Sequence, residues 1–158
     1  MATLDLQVGA SANDGSLTGV TTEGSGGTFE DGVTSIRFGN FADTDKRYLW
    51  VRFTGITILA GTADVAYLTY DPSTTLSTTT VNSTLWANDV LATVAPTSAA
   101  TYWALVKTTA SVAWNSIPTF TTGTPINTPS LVTLVQELID TYAYSSASMQ
   151  FMHWNNAS

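Results

Sequence analysis

The sequence has no cysteine, one histidine and only five basic residues among 158. Without cysteine there is neither a disulfide framework nor a thiolate metal site. A zinc site built on imidazoles is excluded by the same kind of count, because catalytic zinc needs several nitrogen or sulfur ligands. The basic residues are Arg37, Lys46, Arg47, Arg52 and Lys107, set against twelve acidic ones, for a net charge of -7. A phosphate-binding surface needs clustered Lys and Arg, so direct nucleic-acid binding is not expected. No run approaches the ~18 apolar residues of a membrane span. The start, MATLDLQVGASANDG, lacks the basic and apolar segments of a secretory signal. The expectation is a chain made in a host cytoplasm, with no membrane partner.

What remains is apolar and hydroxyl-rich. Hydrophobic residues make up 44% and charged ones 11%, enough for one domain with a real core. Threonine fits a half-buried pleated surface, so short apolar runs among threonines predict strands. Leu4, Leu6 and Val8 alternate as a strand or extended arm would. Ala10 to Thr28, rich in Ser, Gly and Thr, lacks the glycine spacing of a cofactor loop and reads as a surface loop or flexible arm. This divides the chain into an arm and loop at 1–28 and a sandwich domain at 29–158. Ser35 to Phe38 is a short strand candidate closed by Gly39-Asn40. Tyr48 to Thr54 is the clearest strand: Leu49, Val51 and Phe53 face one way, Tyr48, Trp50 and Arg52 the other, and Gly55 breaks it. Val65 to Tyr70, Thr79 to Trp86, Tyr102 to Val106, Ser111 to Trp114 and Met149 to Trp154 alternate in the same manner, the last as a closing strand. Leu91 to Ala100, interrupted by Pro96, is ambiguous.

One helix is expected, at about 129–140, with Thr128 as N-cap and Pro129 in the first turn. Leu131, Val132, Leu134, Val135, Leu138 and Ile139 form its apolar face, while Thr133, Gln136, Glu137 and Asp140 lie opposite. Many short strands and one helix indicate a mainly β fold, an antiparallel sandwich or barrel whose open end or edge the helix covers. The expected core is Leu49, Val51, Phe53, Leu68, Val112, Trp114, Leu131, Leu134, Val135 and Leu138. The expected contact surface is Leu4, Leu6, Val8, Tyr48 and Trp50.

Catalytic constellations are thin. A nucleophile would need His153 as its base, and a structural or surface histidine is the plainer reading. Glu30-Asp31 and Asp43-Thr44-Asp45 are paired carboxylates in loops, read as solvated; a loop calcium site built from such oxygens is the only cofactor they suggest. The five tryptophans, Trp50, Trp86, Trp103, Trp114 and Trp154, would serve a sugar-stacking platform or, more plainly, cores and interfaces.

Two separated motifs resemble a known family. Thr108-Thr109-Ala110-Ser111-Val112-Ala113-Trp114-Asn115 followed by Ser130-Leu131-Val132-Thr133-Leu134-Val135-Gln136-Glu137-Leu138-Ile139-Asp140 is similar to the "V-x-W-N" strand and "L-V-Q-E-(W/I)-V-D" helix of DNRLRE-like domains. Trp50 to Ile58 and Ala63 to Tyr70 resemble that family's core strands. Lys107 stands where the family has Arg, and Ala63-Asp64-Val65 departs from its hydrophobic "I-T-x-A" approach. The resemblance, over roughly residues 30 to 154, implies a jelly-roll β-sandwich like that of carbohydrate-binding modules, with no catalytic residues carried over. Wording of this type resembles structural proteins of tailed phages, marine and cyanobacterial ones among them. The expectation that follows is a non-enzymatic virion protein, a capsid decoration (cement) protein on the outer shell, with the major capsid protein and copies of itself in a homotrimer as partners. The alternative is a carbohydrate-binding module in a tail, receptor-recognition or bacterial surface protein, with a glycan as partner.

Overall fold

Two long strands, each with large side chains on both faces, form the centre of the structure, a computed structural model that describes residues 3–37, 39–42, 45–75 and 80–156. These are β4 (Asp45–Ile58) and β9 (Tyr144–Asn156), antiparallel, with Leu49 opposite His153, Trp50 opposite Met152 and Val51 opposite Phe151. Around them stand β1 (Asp14–Val20), β2 (Thr28–Asp31), β6 (Val81–Ala87) and β7 (Val112–Ile117), in the order β2-β1-β4-β9-β6-β7. The short β3 (Gly39–Ala42) pairs with the start of β4. A second, two-stranded sheet joins β5 (Thr69–Tyr70) to β8 (Ile126–Asn127). The helices are α1 (Ala99–Trp103) and α2 (Val132–Thr141). The protein is a mainly β, antiparallel sandwich with very unequal layers.

The large sheet is covered on both faces. On the first face Leu49, Val51, Leu85, Met149 and Phe151 pack beneath Leu134, Leu138 and Ile139 of α2 and Leu131 just before it, with Leu68 and Trp114 in the same cluster. Phe53, Val112 and Val135 are half-buried against it. The helix thus lies on the sheet's face rather than capping an end or edge. On the second face Leu17, Val20, Tyr48, Trp50, Met152 and Trp154 pack with Tyr102 of α1. Covering both faces makes β4 a central strand, and this overturns one expectation directly. Tyr48 and Trp50 are each fully buried and form no contact surface.

Several local expectations also change. Within Ala10–Thr28, read as a loop, Asp14–Val20 is a strand between β2 and β4, with Ser16, Leu17 and Val20 buried. Its Gly15 is required by close approach: a Cβ there would lie 2.5 Å from the Glu30 carbonyl oxygen and 2.9 Å from Trp50 Nε1. Gly55 does not end β4. It takes φ +73° at a bulge, and the strand runs on to Ile58. Ser35 to Arg37 is not a strand, and Phe38 lies outside the described residues. Of Val65 to Tyr70 only Thr69–Tyr70 pairs, and of Thr79 to Trp86 the strand spans Val81–Ala87, with Thr79 outside the described residues.

Tyr102 to Val106, read as a strand, begins inside α1. Ser98 Oγ accepts from Thr101 N and Thr101 Oγ1 accepts from Ser98 N, a reciprocal cap that starts the helix. The later helix starts three residues beyond the expected turn. Thr128 is no cap; its hydroxyl accepts from Leu68 N and donates to the Pro129 carbonyl, holding β5 and β8 together. The closing strand, β9, lies between β4 and β6.

Burial of Trp50 sets a measurable contrast. Trp50→Ala should destabilise the fold by about 3–5 kcal/mol in denaturant unfolding. Tyr67→Ala, at a side chain 52% exposed, should stay within about 0.5 kcal/mol of the parent. Equal, small effects at both positions would contradict the covered second face.

Candidate functional site

Of the residues expected at a contact surface, only Leu4 is freely exposed. Leu6 and Val8 lie half-buried against the first core, and Tyr48 and Trp50 are interior. His153 is fully buried, its Nε2 2.6 Å from the Tyr70 hydroxyl and its ring edge-on to Tyr70 and Trp114. Burial disfavours the imidazolium and lowers its pKa to about 3. An imidazole held there is a structural group, locked into the first core out of reach of a substrate. The Tyr70 hydroxyl is pushed up by the same burial.

One carboxylate of each pair has a structural partner. Glu30 accepts from the Ser16 hydroxyl at 3.3 Å. Asp45 accepts from Arg47 and from Gly19 N, and the Arg47 guanidinium lowers its pKa despite partial burial. Asp43 lies outside the described residues. Among the described residues no group of three or more His, Asp or Glu side chains converges as a metal site would, and no helix is long and apolar enough to cross a membrane.

Two features of the second face were not anticipated. The first is a groove built by the chain between β6 and β7. From Ala87 it runs over the sheet and is tied down by buried polar groups. Asn88 N donates to the Gln150 carbonyl (2.8 Å), and Asn88 Nδ2 to Gln150 Oε1 (3.3 Å). Thr93 Oγ1 donates to Ser148 Oγ (3.1 Å), which donates back to the Thr93 carbonyl (2.9 Å). Arg52 adds a bond from Nε to that same carbonyl (2.8 Å) and one from Nη1 to Asn13 Oδ1 (2.7 Å). Such a buried polar ladder fixes register, because any slip leaves desolvated groups without partners.

What the ladder holds outward is apolar. An open groove of about 410 Å³ is lined by Val90, Ala92, Val94, Ala95, Leu105 and Val106, among others, with no charged side chain among its described lining residues. Val94 is 76% exposed and Val106 54%, with Val90 and Leu91 beside them. A cluster of exposed valines on a rigid support is unusual for a free surface and typical of a contact.

The second feature is an aromatic cluster at the other end of the same face. Trp154 meets Trp86, Trp103 and Tyr48 edge-on, at centroid distances of 5.5, 5.2 and 5.9 Å. Trp103 Nε1 donates to the Gly26 carbonyl (2.9 Å). The Lys107 ammonium sits over two indoles, 2.8 Å from the Trp154 centroid and 4.2 Å from that of Trp86. The aromatic cluster gathers residues distant in sequence, whereas the groove is folded from the single stretch 88–106. The signals that existed were the Ser98–Thr101 cap and the valines of the ambiguous stretch around Pro96, which fit neither strand nor helix period.

His153 makes the fold sensitive to acid in a defined window. Its folded-state pKa of about 3 lies below the ordinary 6.5, so between those values the unfolded chain binds the extra proton. Stability is therefore full above about pH 6.5 and falls as pH drops, by at most about 1.4 kcal/mol per pH unit from this group. Unfolding followed between about pH 4.5 and 6.5, above the carboxylate range, should show that slope, and His153→Gln should flatten it. A parent protein of constant stability across the window would contradict the assignment.

No protein-family model, curated protein or solved structure matches the chain. What the molecule does has to be read from its own surfaces.

Proposed function

We propose that the protein is a non-enzymatic structural component of a virion, a capsid decoration protein that binds across the outer shell of a tailed phage. The observation that carries this reading is the uncharged apolar groove of Val90, Val94, Leu105 and Val106, held rigid by the Asn88–Gln150 and Thr93–Ser148 bonds. A protein that cements a shell works by burying such surface against its neighbours, and a pre-ordered patch loses little entropy on contact. The family resemblance of the strand and helix motifs supports the same class. The acidic charge, -7 overall, suits an outer surface and would repel packaged nucleic acid. The partners are the major capsid protein and further copies of this chain, arranged as a homotrimer, and the role needs no cofactor.

The carbohydrate-binding alternative loses three of the five tryptophans offered for its platform, since Trp50, Trp114 and Trp154 are buried. It would have to use the half-buried Trp86 and Trp103, and a glycan array with no binder would argue against it.

The decoration reading is tested with shells lacking the protein, to which purified protein is added and binding followed by cryo-electron microscopy. Saturable density on the shell is expected. A Val94→Asp/Val106→Asp variant should keep its unfolding midpoint within about 0.5 kcal/mol of the parent's stability yet lose shell binding at least ~tenfold, as burying unpaired charge requires. Density confined to the tail, or decoration undiminished in the variant, would overturn the role or the surface.

A further inference from the structure

We propose that Trp86 and Trp154, with Trp103 beside them, form a cage for alkylammonium groups in which the chain's own Lys107 is the resident occupant. The geometry is that of a receptor. Two indole faces meet one ammonium, at 2.8 and 4.2 Å from their centroids. The rings are inclined by 66° to each other, and Trp103 stands at 89° to Trp154. Aromatic faces carry negative quadrupole charge, and several inclined around one point make the arrangement that selects quaternary ammonium ions. Glu23 supplies the countercharge: it favours the protonated lysine, against a larger opposing effect of burial.

The walls do not depend on Lys107 for their position. Trp86 and Trp154 sit on β6 and β9, and Trp103 is anchored to Gly26. The lysine backbone is fixed on both sides, by the bridge to Asn88 and by the bonds between Thr108 and Ala87. Beyond it, Glu137 accepts from Thr109 N and Ala110 N at 2.7 Å each. The four-carbon stem carries the ammonium over the Trp154 and Trp86 rings. A primary ammonium is compact and strongly hydrated, so it loses much hydration on entering. A methylated ammonium loses less, and with the lysine side chain removed it would stand off the same two indole faces at methyl contact, which makes it the better-matched occupant. The cage is thus a cation site plugged by a tethered, second-best ligand, and the class it takes is a methylated ammonium such as a choline or methyl-lysine head.

The test removes the plug. Lys107→Ala, checked for folding by circular dichroism, is titrated with tetramethylammonium and with choline while tryptophan fluorescence is read. Saturable binding is expected at least ~tenfold tighter than in the parent, the size of effect one desolvated cation–π site supports. It should be lost on adding Trp86→Ala and absent for 3,3-dimethylbutanol, the uncharged isostere of choline. Lys107→Met, which refills the space without charge, should not bind. A second measurement needs no variant. The chain has two lysines, Lys46 and Lys107, so reductive methylation with carbon-13 gives two lysine methyl signals, and ring currents should shift that of Lys107 strongly upfield. Failure of folded Lys107→Ala to bind, equal binding by parent and variant, equal binding of the alcohol, or two unshifted lysine signals would each overturn the cage.

Discussion

The antiparallel pairing of β4 with β9 is the constraint on which the rest of the structure depends. Both strands carry large side chains on both faces: Leu49, Val51 and Phe151 on one, Trp50, Met152 and Trp154 on the other. A sheet with only one apolar face can leave the other to water. This pair cannot, so each face needs a cover, and the remaining segments supply two. The first is α2 with the β5–β8 ribbon; the second is α1 with the chain leading to and from it. Burying each large apolar side chain contributes about 1.5–3 kcal/mol relative to exposure, which makes an uncovered face untenable in a protein whose net stability is small.

The two covers differ in chemistry, and the difference separates structure from function. The first is mostly apolar, with polar inclusions at the Tyr70–His153 bond and at the buried Thr128 hydroxyl. The second is mixed. Its one end is held by amide and hydroxyl bonds to Arg52, Ser148 and Gln150, which leave the valines on the outside free for contact. Its other end is aromatic, and there Lys107 occupies a position between indoles. The groove and the cage therefore come from one requirement, that the second face be covered, met with two kinds of side chain.

The sequence pattern was most legible where a period repeats. The alternation in Tyr48–Thr54 and Thr79–Trp86, and the apolar stripe of Leu131, Leu134 and Leu138, correspond to β4, β6 (Val81–Ala87) and α2. It was least legible where local and tertiary preferences conflict. Tyr102 and Trp103 have strand propensity, yet the reciprocal Ser98–Thr101 cap and burial of Tyr102 win. Asp14–Val20 is poor in strand formers, yet its glycine is the residue that lets Trp50 lie close. Trp50 was misplaced because alternation reveals that a strand has two faces, without revealing how many are covered. The continuous run Tyr48-Leu49-Trp50-Val51 was the sign of a central strand.

By itself the sequence determined the class: a mainly β chain with an apolar-striped helix, no thiol chemistry, one histidine and a negative surface. These follow from composition and short-range period, which act within a few residues. Only the tertiary structure decided the order of strands, the second cover and both candidate surfaces. Lys107 and Trp86 meet Trp154 because the sheet brings β6 and β9 side by side although some seventy residues separate them, and the stretch holding Val94 and Val106 is fastened over that sheet through Gln150 and Ser148. Juxtapositions of that kind depend on which strand pairs with which, and no local pattern encodes it.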